Sequence, residues 1–383
     1  MTYASPMHQE ISTVPELLRV LVPAFDERAR TTCSFELCAS VKRVSIVGCG
    51  DSHHAAVGAE LAFRQLAGIS ARAFSALNFS RYEAGYLNPP GPLMDLVLAI
   101  SVSGGVTRTI EALDLAQQVG AAGVAITGSE SSPLGQVAQR VFEVTLPPPP
   151  AELAGLNTPG VRSYIATQLA LYLIAVRLGE VRGILTTSNA NLLRDELARL
   201  ADQAEATIAA CAEPAAEIVR TWQQPVEIVY VGAGPLYGTA MFSAAKMIEA
   251  AGVPTLAQET EEWAHIQFFT EAAGTPTILL APDGFSSDRM LEVADTARTI
   301  GRQVIAVAPE SDQTIRACAD VVLPIAGEVR ECFAPLLYQI PGSLLAAEYA
   351  RQLGSQYYRA FSGGRADIKY DIRTGTRLDQ PYR

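Results

Sequence analysis

One stretch of sequence occurs twice in this chain. Residues 45–69 read SIVGCGDSHHAAVGAELAFRQLAGI, and residues 229–253 read VYVGAGPLYGTAMFSAAKMIEAAGV. Each copy is an apolar run, a Gly-x-Gly turn and a helix-length segment that ends in Ala-Gly. Because the spacing between the copies is constant, the repeat predicts two related α/β domains. The repeated glycine pairs, each separated by 184 residues, are Gly48 and Gly232, Gly50 and Gly234, and Gly68 and Gly252.

The two copies differ in the polar residues around them. Only the first copy is followed by a hydroxyl-rich loop, residues 101–109 (SVSGGVTRT). Only the second copy carries the Lys246/Glu249 pair and the acidic run at residues 259–265 (ETEEWAH). The sequence therefore predicts that anion-binding groups and proton-transfer groups are divided between the two domains.

Composition limits the classes of function. A chain of 383 residues with 49% hydrophobic and 18% charged residues is long and apolar enough for two globular domains. The net charge of −11 argues against a nucleic-acid surface, which needs clustered Lys and Arg. Backbone amides and hydroxyls can still bind a small anionic metabolite locally, so a phosphorylated ligand is compatible with this charge.

The cysteines and the apolar segments predict a cytoplasmic protein. Six cysteines are scattered without metal-ligand spacing, which is typical of reduced thiols, and we expect no metal and no cofactor. The N-terminus lacks the apolar core of a signal peptide. From the sequence we expect no apolar run long enough to span a bilayer, and so no membrane partner.

Short apolar runs alternate with amphipathic helical segments in both halves of the chain. This alternation is typical of a parallel sheet covered on both faces. We expect an α/β protein with two tandem domains, each a flavodoxin/Rossmann-like three-layer sandwich. The predicted segments are an N-terminal arm and helix (1–40), a first domain (41–185), linking helices (186–222), a second domain (223–355) and a C-terminal tail (356–383).

The loop at residues 101–109 is the clearest candidate for an anion site. It follows a predicted buried strand and begins a helix, so backbone N–H groups, the helix dipole and four hydroxyls could surround a phosphate without a lysine. The alternative is a helix cap, but a cap needs only one hydroxyl. Ser52, on the neighbouring strand, should lie beside the loop. Phosphate binding is therefore the favoured interpretation.

A dinucleotide-binding fingerprint is incomplete in both copies. The third glycine of G-x-G-x-x-G is replaced by His53 in the first copy and by Tyr237 in the second. A dehydrogenase is consequently a weak alternative. His53 and His54, next to the first turn, fit a helix cap, core packing or ligand contact equally well.

Lys246 and Glu249 stand three residues apart on a predicted helix and so share one face. A surface ion pair is the simple alternative, but the surrounding sequence GTAMFSAAKMIEAAG is small and apolar, which predicts partial burial. A buried carboxylate beside a lysine can act as a proton shuttle. His265 is a second candidate for acid–base chemistry, and a hydrogen-bonded core histidine is its alternative.

Taken together, these motifs resemble the double-SIS (sugar isomerase) family, which includes the isomerase half of glucosamine-6-phosphate synthase, sugar-phosphate deaminases and fructosamine deglycases. The opening MHQEISTVPE resembles the family's N-terminal arm. The other matches follow the family patterns C-G-T-S, S-Q-S-G, L-K-x-K-E and E-L-K-H. They lie at residues 49–52 (CGDS), 101–104 (SVSG), 245–249 (AKMIE) and 262–265 (EWAH).

The resemblance implies a mechanism and an assembly. The family glutamate, here Glu249, moves a proton between C1 and C2 of the sugar, and Lys246 supports it. The family histidine, here His265, is supplied by a partner subunit and assists ring opening. The resemblance thus implies a homodimer with a shared active site. The family tail contributes a lysine, and Lys369 is the only lysine in this tail.

Three departures from the family pattern limit what can be inferred about the substrate. The family's Glu-Thr after S-x-S-G is Gly105-Val106 here, so Thr107 or Thr109 must replace the lost hydroxyl. The family's sugar-contacting V-A-S-T-K appears as residues 159–163 (PGVRS). The sequence also shows no glutaminase domain before the arm, so we expect no local source of glutamine-derived ammonia.

The sequence thus predicts an aldose–ketose isomerase or an amino-sugar-phosphate deaminase. A non-catalytic sugar-phosphate sensor is the alternative, although such sensors usually carry one SIS domain and a DNA-binding module and would not need Lys246, Glu249 and His265. The expected ligand contacts are Cys49, Gly50, Ser52, Ser101, Val102, Ser103, Thr107 and Thr109 for the phosphate end, with Arg162, Ser163 and Glu262 for the sugar.

Overall fold

The computed structural model describes residues 5–87, 93–222, 227–271, 273–363, 375 and 377–379. These residues form two compact units. We call them the first-sheet unit and the second-sheet unit. The first-sheet unit contains Leu17–Pro147, Ser163–Ala198 and the described tail residues 375 and 377–379. The second-sheet unit contains residues 5–16, Pro148–Arg162 and Arg199–Gly363.

Each unit is built on a five-stranded parallel sheet. The strands of the first-sheet unit pair in the order β2-β1-β3-β4-β5, and those of the second in the order β7-β6-β8-β9-β10. The same strand order therefore occurs twice, as the repeat predicted. The strands are β1 (Val41–Gly48), β2 (Ser70–Ser75), β3 (Met94–Ile100), β4 (Ala122–Thr127), β5 (Arg140–Glu143), β6 (Ile228–Gly232), β7 (Thr255–Glu259), β8 (Pro276–Leu280), β9 (Gln303–Pro309) and β10 (Val321–Ile325).

Helices flank both sheets, so the predicted α/β fold class is confirmed. The described helices are α1 (Pro6–Ser12), α2 (Val14–Thr32), α3 (Phe35–Ser40), α4 (Asp51–Ala67), α5 (Ala76–Asn78), α6 (Thr107–Gln118), α7 (Pro133–Val137), α8 (Arg162–Val181), α9 (Thr187–Thr221), α10 (Pro235–Ala251), α11 (Thr260–His265), α12 (Ser287–Thr299), α13 (Gln313–Cys318) and α14 (Pro335–Leu353).

The repeated glycines are explained by backbone geometry. A Cβ on Gly48 would lie 2.7 Å from the Cβ of Ser52, and a Cβ on Gly232 would lie 2.5 Å from the carbonyl oxygen of Leu236. The first glycine of each turn therefore lets a helix begin directly against the strand that precedes it. The second glycine, Gly50 or Gly234, has a positive φ of 55° or 52°, which favours a residue without a side chain.

The N-terminal helix α1 belongs to the second-sheet unit, where charged groups hold it. The Nε2 atom of His8 lies 2.8 Å from the carboxylate of Glu348 on α14. The carboxylate of Glu10 accepts hydrogen bonds from the Thr158 hydroxyl and the Val161 amide. The chain then enters the first-sheet unit at Leu17 and stays there as far as Pro147. The consecutive domain boundaries predicted from the sequence remain a prediction.

The apolar helix α8 corrects one expectation. Among the described residues it is the one helix long and apolar enough to cross a membrane by length and composition. The expectation that no apolar run reaches this length was therefore wrong. However, 83% of its most apolar window is buried inside the structure, as in the core helix of a folded domain.

We expect the Gly48→Ala variant to be less stable than the wild type. The new methyl group would meet the Cβ and the backbone carbonyl carbon of Ser52 at 2.7 and 2.8 Å, and such overpacking costs about 1–3 kcal/mol in the free energy of unfolding. Urea denaturation measures this loss. Gly105→Ala is the matched control because its Cβ meets no atom within 4 Å. Equal stability of Gly48→Ala and the control would contradict the close-approach explanation.

Candidate functional site

The first-sheet unit brings two candidate loops to one edge of its sheet. β1 and β3 are parallel neighbours, and Gly48 pairs with Ile100 at their carboxyl ends. The loops that follow these strands, residues 49–50 and 101–106, therefore leave the sheet side by side. This is also the point where the strand order reverses, and open α/β sheets bind ligands at such a switch point. The predicted proximity of the two loops is observed.

The 101–106 loop is held in place by its own backbone. The amide of Ser101 donates to the carbonyl of Ile126 at 3.0 Å, and the amide of Gly104 donates to the carbonyl of Ser101 at 2.9 Å. Gly104 has a φ of 66°, and a Cβ there would lie 2.2 Å from the hydroxyl oxygen of Ser132. These contacts fix the loop before any ligand binds.

Hydroxyl and thiol groups connect the two loops. The Thr109 hydroxyl is fully buried and donates to the Cys49 thiol at 3.9 Å, so it joins the first turn of α6 to the neighbouring loop. The hydroxyl oxygens of Ser101 and Ser103 lie 3.5 Å apart. Ser101 is buried and Ser103 is exposed, so the pair extends from the sheet edge towards solvent. Ser52 lies in the first turn of α4.

The helix-cap interpretation of the loop is wrong. The N-cap residue of α6 is Val106, and it makes no side-chain cap hydrogen bond. The N-cap residue of α4 is Gly50, also without a side-chain cap. Two uncapped helix N-termini therefore lie at the carboxyl ends of β1 and β3, and their partial positive charge favours an anion.

The loop's arginine is paired within the protein. The Arg108 guanidinium lies 2.6 Å from the carboxylate of Glu111, which is fully buried. Arg81 contacts the same carboxylate at 3.0 Å, and the amide of tail residue Leu378 donates to it at 2.7 Å. Sequence reasoning did not single out Glu111, although the i, i+3 spacing from Arg108 was a signal for the pair. This part of the tail is anchored on α6.

His53 is partly buried in the first turn of α4, and burial lowers its pKa to about 4. The positive charge of a protonated His54 acts in the same direction. His53 is therefore neutral near pH 7 and supplies no positive charge to an anion. Of the interpretations that the sequence left open for His53, packing and a neutral hydrogen-bonding contact remain.

In the second-sheet unit, α10 carries the predicted lysine–glutamate pair. Lys246 is fully buried, and its Nζ lies 2.5 Å from Oε2 of Glu249 and 5.0 Å from the ring centre of Phe242. The Glu249 side chain is 28% exposed. The predicted partial burial is observed, and the pair is not a simple surface ion pair. The lysine is enclosed, while its carboxylate partner remains accessible.

His265 is the last residue of α11, and its side chain is 68% exposed. Its Nε2 lies 3.2 Å from the carboxylate of Glu261, which also contacts Arg289 at 2.6 Å. The core-histidine alternative is therefore wrong. The structure joins Glu249 to Lys246 and His265 to Glu261, and the described contacts do not join Glu249 to His265. Glu262 is exposed.

The remaining predicted sugar contacts lie at the start of α8. Arg162 is buried, and its Nη2 donates to the carbonyl of Pro148 at 3.5 Å. Burial lowers the Arg162 pKa, and the nearby charge of Glu10 opposes this shift. The carbonyl of Ser163 accepts a hydrogen bond from the Thr167 hydroxyl. Lys369 lies outside the described residues.

Comparison with known proteins shows what the chain is similar to. The chain matches the SIS domain family over residues 37–177. It is 26% identical over 91% of its length to the isomerizing glutamine–fructose-6-phosphate aminotransferase of Methanothermobacter thermautotrophicus, and it covers 55% of that protein. The corresponding enzyme of Gloeobacter violaceus is 24% identical, with the same coverage. The chain thus spans about half the length of these relatives.

Solved structures share the SIS fold over nearly the whole chain. The C-terminal domain of the Francisella tularensis glucosamine-fructose-6-phosphate aminotransferase aligns with a TM-score of 0.75 at 18% identity, covering 93% of this chain and 98% of that one. Escherichia coli tagatose-6-phosphate ketose/aldose isomerase gives 0.73 at 20% identity, covering 92% and 94%. Thermotoga maritima glucosamine-6-phosphate deaminase gives 0.66 at 18% identity, covering 91% and 95%.

The two sheets differ at the loop after their central strand, which in the first-sheet unit is the predicted anion loop. In the second-sheet unit the corresponding loop lies between β8 and α12, at residues 281–286. There the amide of Phe285 donates to the Glu331 carboxylate at 3.2 Å, and a Cβ on Gly284 would lie 2.6 Å from Cδ of Glu331. The lining of a cavity of about 1020 Å³ beside this loop includes four acidic residues, Asp283, Glu310, Asp312 and Glu328, and no basic one. A phosphate is electrostatically disfavoured at this second loop.

No group of three or more His, Cys, Asp or Glu side chains that could hold a metal ion occurs in the part of the chain that the structure describes. The donor groups at the two candidate sites are instead hydroxyls, backbone amides and one ion pair. Groups of these types are compatible with anion binding and proton transfer.

We expect the His53 ring to titrate near pH 4 in the folded protein, so the protein should become less stable as the pH falls. Between pH 6.5 and about 4 the unfolded chain binds a proton at His53 that the folded protein does not, so this group destabilises the fold as pH falls. The resulting decrease in the free energy of unfolding is up to about 3 kcal/mol. NMR titration of the ring and urea unfolding of wild type and His53→Gln at pH 7 and 4.5 measure both effects. A ring that titrates near 6.5 would contradict this expectation.

Proposed function

We propose that this SIS protein is a phosphosugar aldose–ketose isomerase or an amino-sugar-phosphate deaminase. The observation that carries the proposal is the Lys246/Glu249 pair, in which a fully buried ammonium holds an accessible carboxylate at 2.5 Å. Such an arrangement keeps a base in a fixed position at a surface that a ligand can reach. Sugar-phosphate isomerases and deaminases with the same fold support this choice.

The phosphate end of the substrate binds at the first-sheet unit. The uncapped N-termini of α4 and α6 supply backbone N–H groups and a favourable dipole. The Ser52, Ser101 and Ser103 hydroxyls donate to phosphate oxygens, and buried Thr109 fixes the loops through Cys49. The other predicted contacts at this end are Gly50, Val102 and Thr107. Because Arg108 is paired with Glu111, the phosphate is bound mainly by neutral donors.

The proton chemistry uses the second-sheet unit. His265 assists opening of the sugar ring, and the Glu249 carboxylate then removes the C2 proton of the aldose. The resulting enediol receives the proton at C1 and becomes the ketose. With a 2-amino sugar the intermediate is an enolamine, and water hydrolyses the derived C2 imine with release of ammonia. Each step conserves protons and electrons and needs no external oxidant or reductant.

We retain the homodimer as part of this proposal. The 68% exposure of the His265 side chain supports a role at a surface that a second subunit could share. Arg162, Ser163 and Glu262 are the proposed sugar contacts, and Lys369 is the proposed tail contribution. A non-catalytic sensor is the weaker alternative, because binding alone gives no reason to bury Lys246 beside Glu249.

A panel of sugar phosphates distinguishes the two reactions. We expect turnover of at least one of glucosamine 6-phosphate, fructose 6-phosphate and tagatose 6-phosphate, since proton transfer between C1 and C2 is common to them. Ketose or aldose formation and ammonia release are measured together. Product without ammonia indicates an isomerase, and ketose with ammonia indicates a deaminase. Binding of these compounds without turnover would support the sensor instead.

We expect Glu249→Gln to slow turnover strongly while leaving binding nearly intact. A positioned general base is worth about 10²–10⁴-fold in rate, so kcat should fall by that factor whereas Kd changes little. Ser101→Ala should show the opposite pattern, with affinity weakened by about 10-fold or more because a hydrogen bond to a charged group is lost. Calorimetry and steady-state kinetics measure the two effects.

The matched control for the base variant is Glu217→Gln, an exposed glutamate on α9. It makes the same chemical change away from the proposed site and should keep wild-type turnover. Wild-type kcat in Glu249→Gln would overturn the assignment of the base.

A further inference from the structure

The second-sheet unit contains a buried arginine that the proposed chemistry does not use. Arg302 directly precedes β9 and is 2% exposed. Its Nη2 donates to the carbonyl of Gln267 at 2.8 Å and also to the Thr270 hydroxyl, while its Nη1 donates to the Thr277 hydroxyl on β8 at 3.2 Å. One guanidinium therefore ties the segment at residues 267–270 to the sheet.

The same guanidinium contacts the chain on the other side of His265. Its central carbon lies 5.5 Å from the ring centre of Trp263, which is fully buried in α11. Trp263 precedes His265 by two residues, and Gln267 follows it by two. Arg302 thus contacts the chain on both sides of the proposed catalytic histidine.

The described polar contact of the His265 side chain itself, with Glu261, is weaker than the Arg302 contacts that flank it. The His265–Glu261–Arg289 contacts lie at the surface, where solvent and salt screen them. Arg302 is desolvated, so its charge-assisted hydrogen bonds are stronger. A lysine could not replace it, because only the planar guanidinium can stack on an indole and donate to several acceptors at once.

We propose that Arg302 is the positioning residue for His265. It fixes the backbone between Trp263 and Thr270, and this backbone sets the position and orientation of the histidine. The consequence for catalysis rests on the proposed function, in which His265 opens the sugar ring. The structural part of the proposal, the ordering of residues 260–270 by Arg302, can be tested without any substrate.

The first experiment is hydrogen–deuterium exchange of the full chain, followed by mass spectrometry of the peptide that contains residues 260–270. In Arg302→Lys we expect exchange at least about 10-fold faster in this peptide, where the amides of Ile266 and Phe269 form hydrogen bonds within the segment. Peptides from β6 and α10 should exchange as in wild type. Unchanged exchange in residues 260–270 would overturn the positioning role.

Two further variants make the exchange result specific. Arg298→Lys is the matched control, because Arg298 lies on nearby α12 and donates to the carbonyl of Ala317 instead of this segment. It should leave the 260–270 peptide unchanged. Thr277→Val removes the Arg302 acceptor on β8, outside the 260–270 peptide, but keeps the guanidinium, so it tests the same link if Arg302→Lys does not fold. It should speed exchange in the same peptide by a smaller factor.

The second experiment is a double-mutant cycle on kcat, using Arg302→Lys, His265→Asn and the double variant. Its substrate is whichever of glucosamine 6-phosphate, fructose 6-phosphate and tagatose 6-phosphate the wild type converts fastest. Turnover is normalised to the binding-competent fraction from calorimetric titration. Displacing a catalytic group by about 1 Å costs up to about 100-fold, so we expect Arg302→Lys to lower kcat by about 10-fold or more. KM should change little.

The cycle separates a positioning role from general destabilisation. If Arg302 acts through His265, adding Arg302→Lys to His265→Asn should cause no further loss of kcat. Additive losses would overturn the positioning role. Wild-type turnover in His265→Asn, or no turnover of the substrate panel by the wild type, would instead refute the proposed function. In that case the exchange result alone would decide whether Arg302 orders the segment.

Discussion

The parallel pairing of β1 with β3 is the constraint on which the candidate site depends. It aligns Gly48 with Ile100 at the carboxyl ends of the strands, so the loops beginning at Cys49 and Ser101 must leave the sheet together. The close approach at Gly48 allows α4 to start at once, and its dipole therefore acts at the same edge as that of α6. The geometry of the proposed anion site is a consequence of strand register and of the absent side chain at Gly48.

The second sheet repeats this topology with different chemistry. Its strand order is the same. In the loop after β8, however, the amide of Phe285 donates a hydrogen bond to the Glu331 carboxylate. A carboxylate of the protein thus interacts with this loop, and the nearby cavity is acidic. The helix after β6 instead buries Lys246 against Glu249. The two sheets have the same strand order, and the different polar residues at their edges support the different roles that we propose.

Features that depend on local spacing could be predicted, and those that depend on distant residues could not. The i, i+3 relation of Lys246 and Glu249, in an apolar helix, predicted both their contact and their burial. The cap interpretation of residues 101–109 failed because the helix begins after Val106, which only the folded loop decides. Arg302 was missed because its acceptor Gln267 lies 35 residues away. The apolar length of α8 was underestimated from the sequence.

The sequence alone determined the two α/β repeats, the positions of their Gly-x-Gly turns and the chemical types of the candidate site residues. These follow from periodicity and from backbone conformations that few residues adopt, and both are local properties. Only the tertiary structure decided that Thr109 meets Cys49, that Glu111 pairs with Arg108 and Arg81, and that Lys246 is enclosed while His265 is exposed. The exposure of a side chain, and any partner distant in sequence, depends on how separate elements pack.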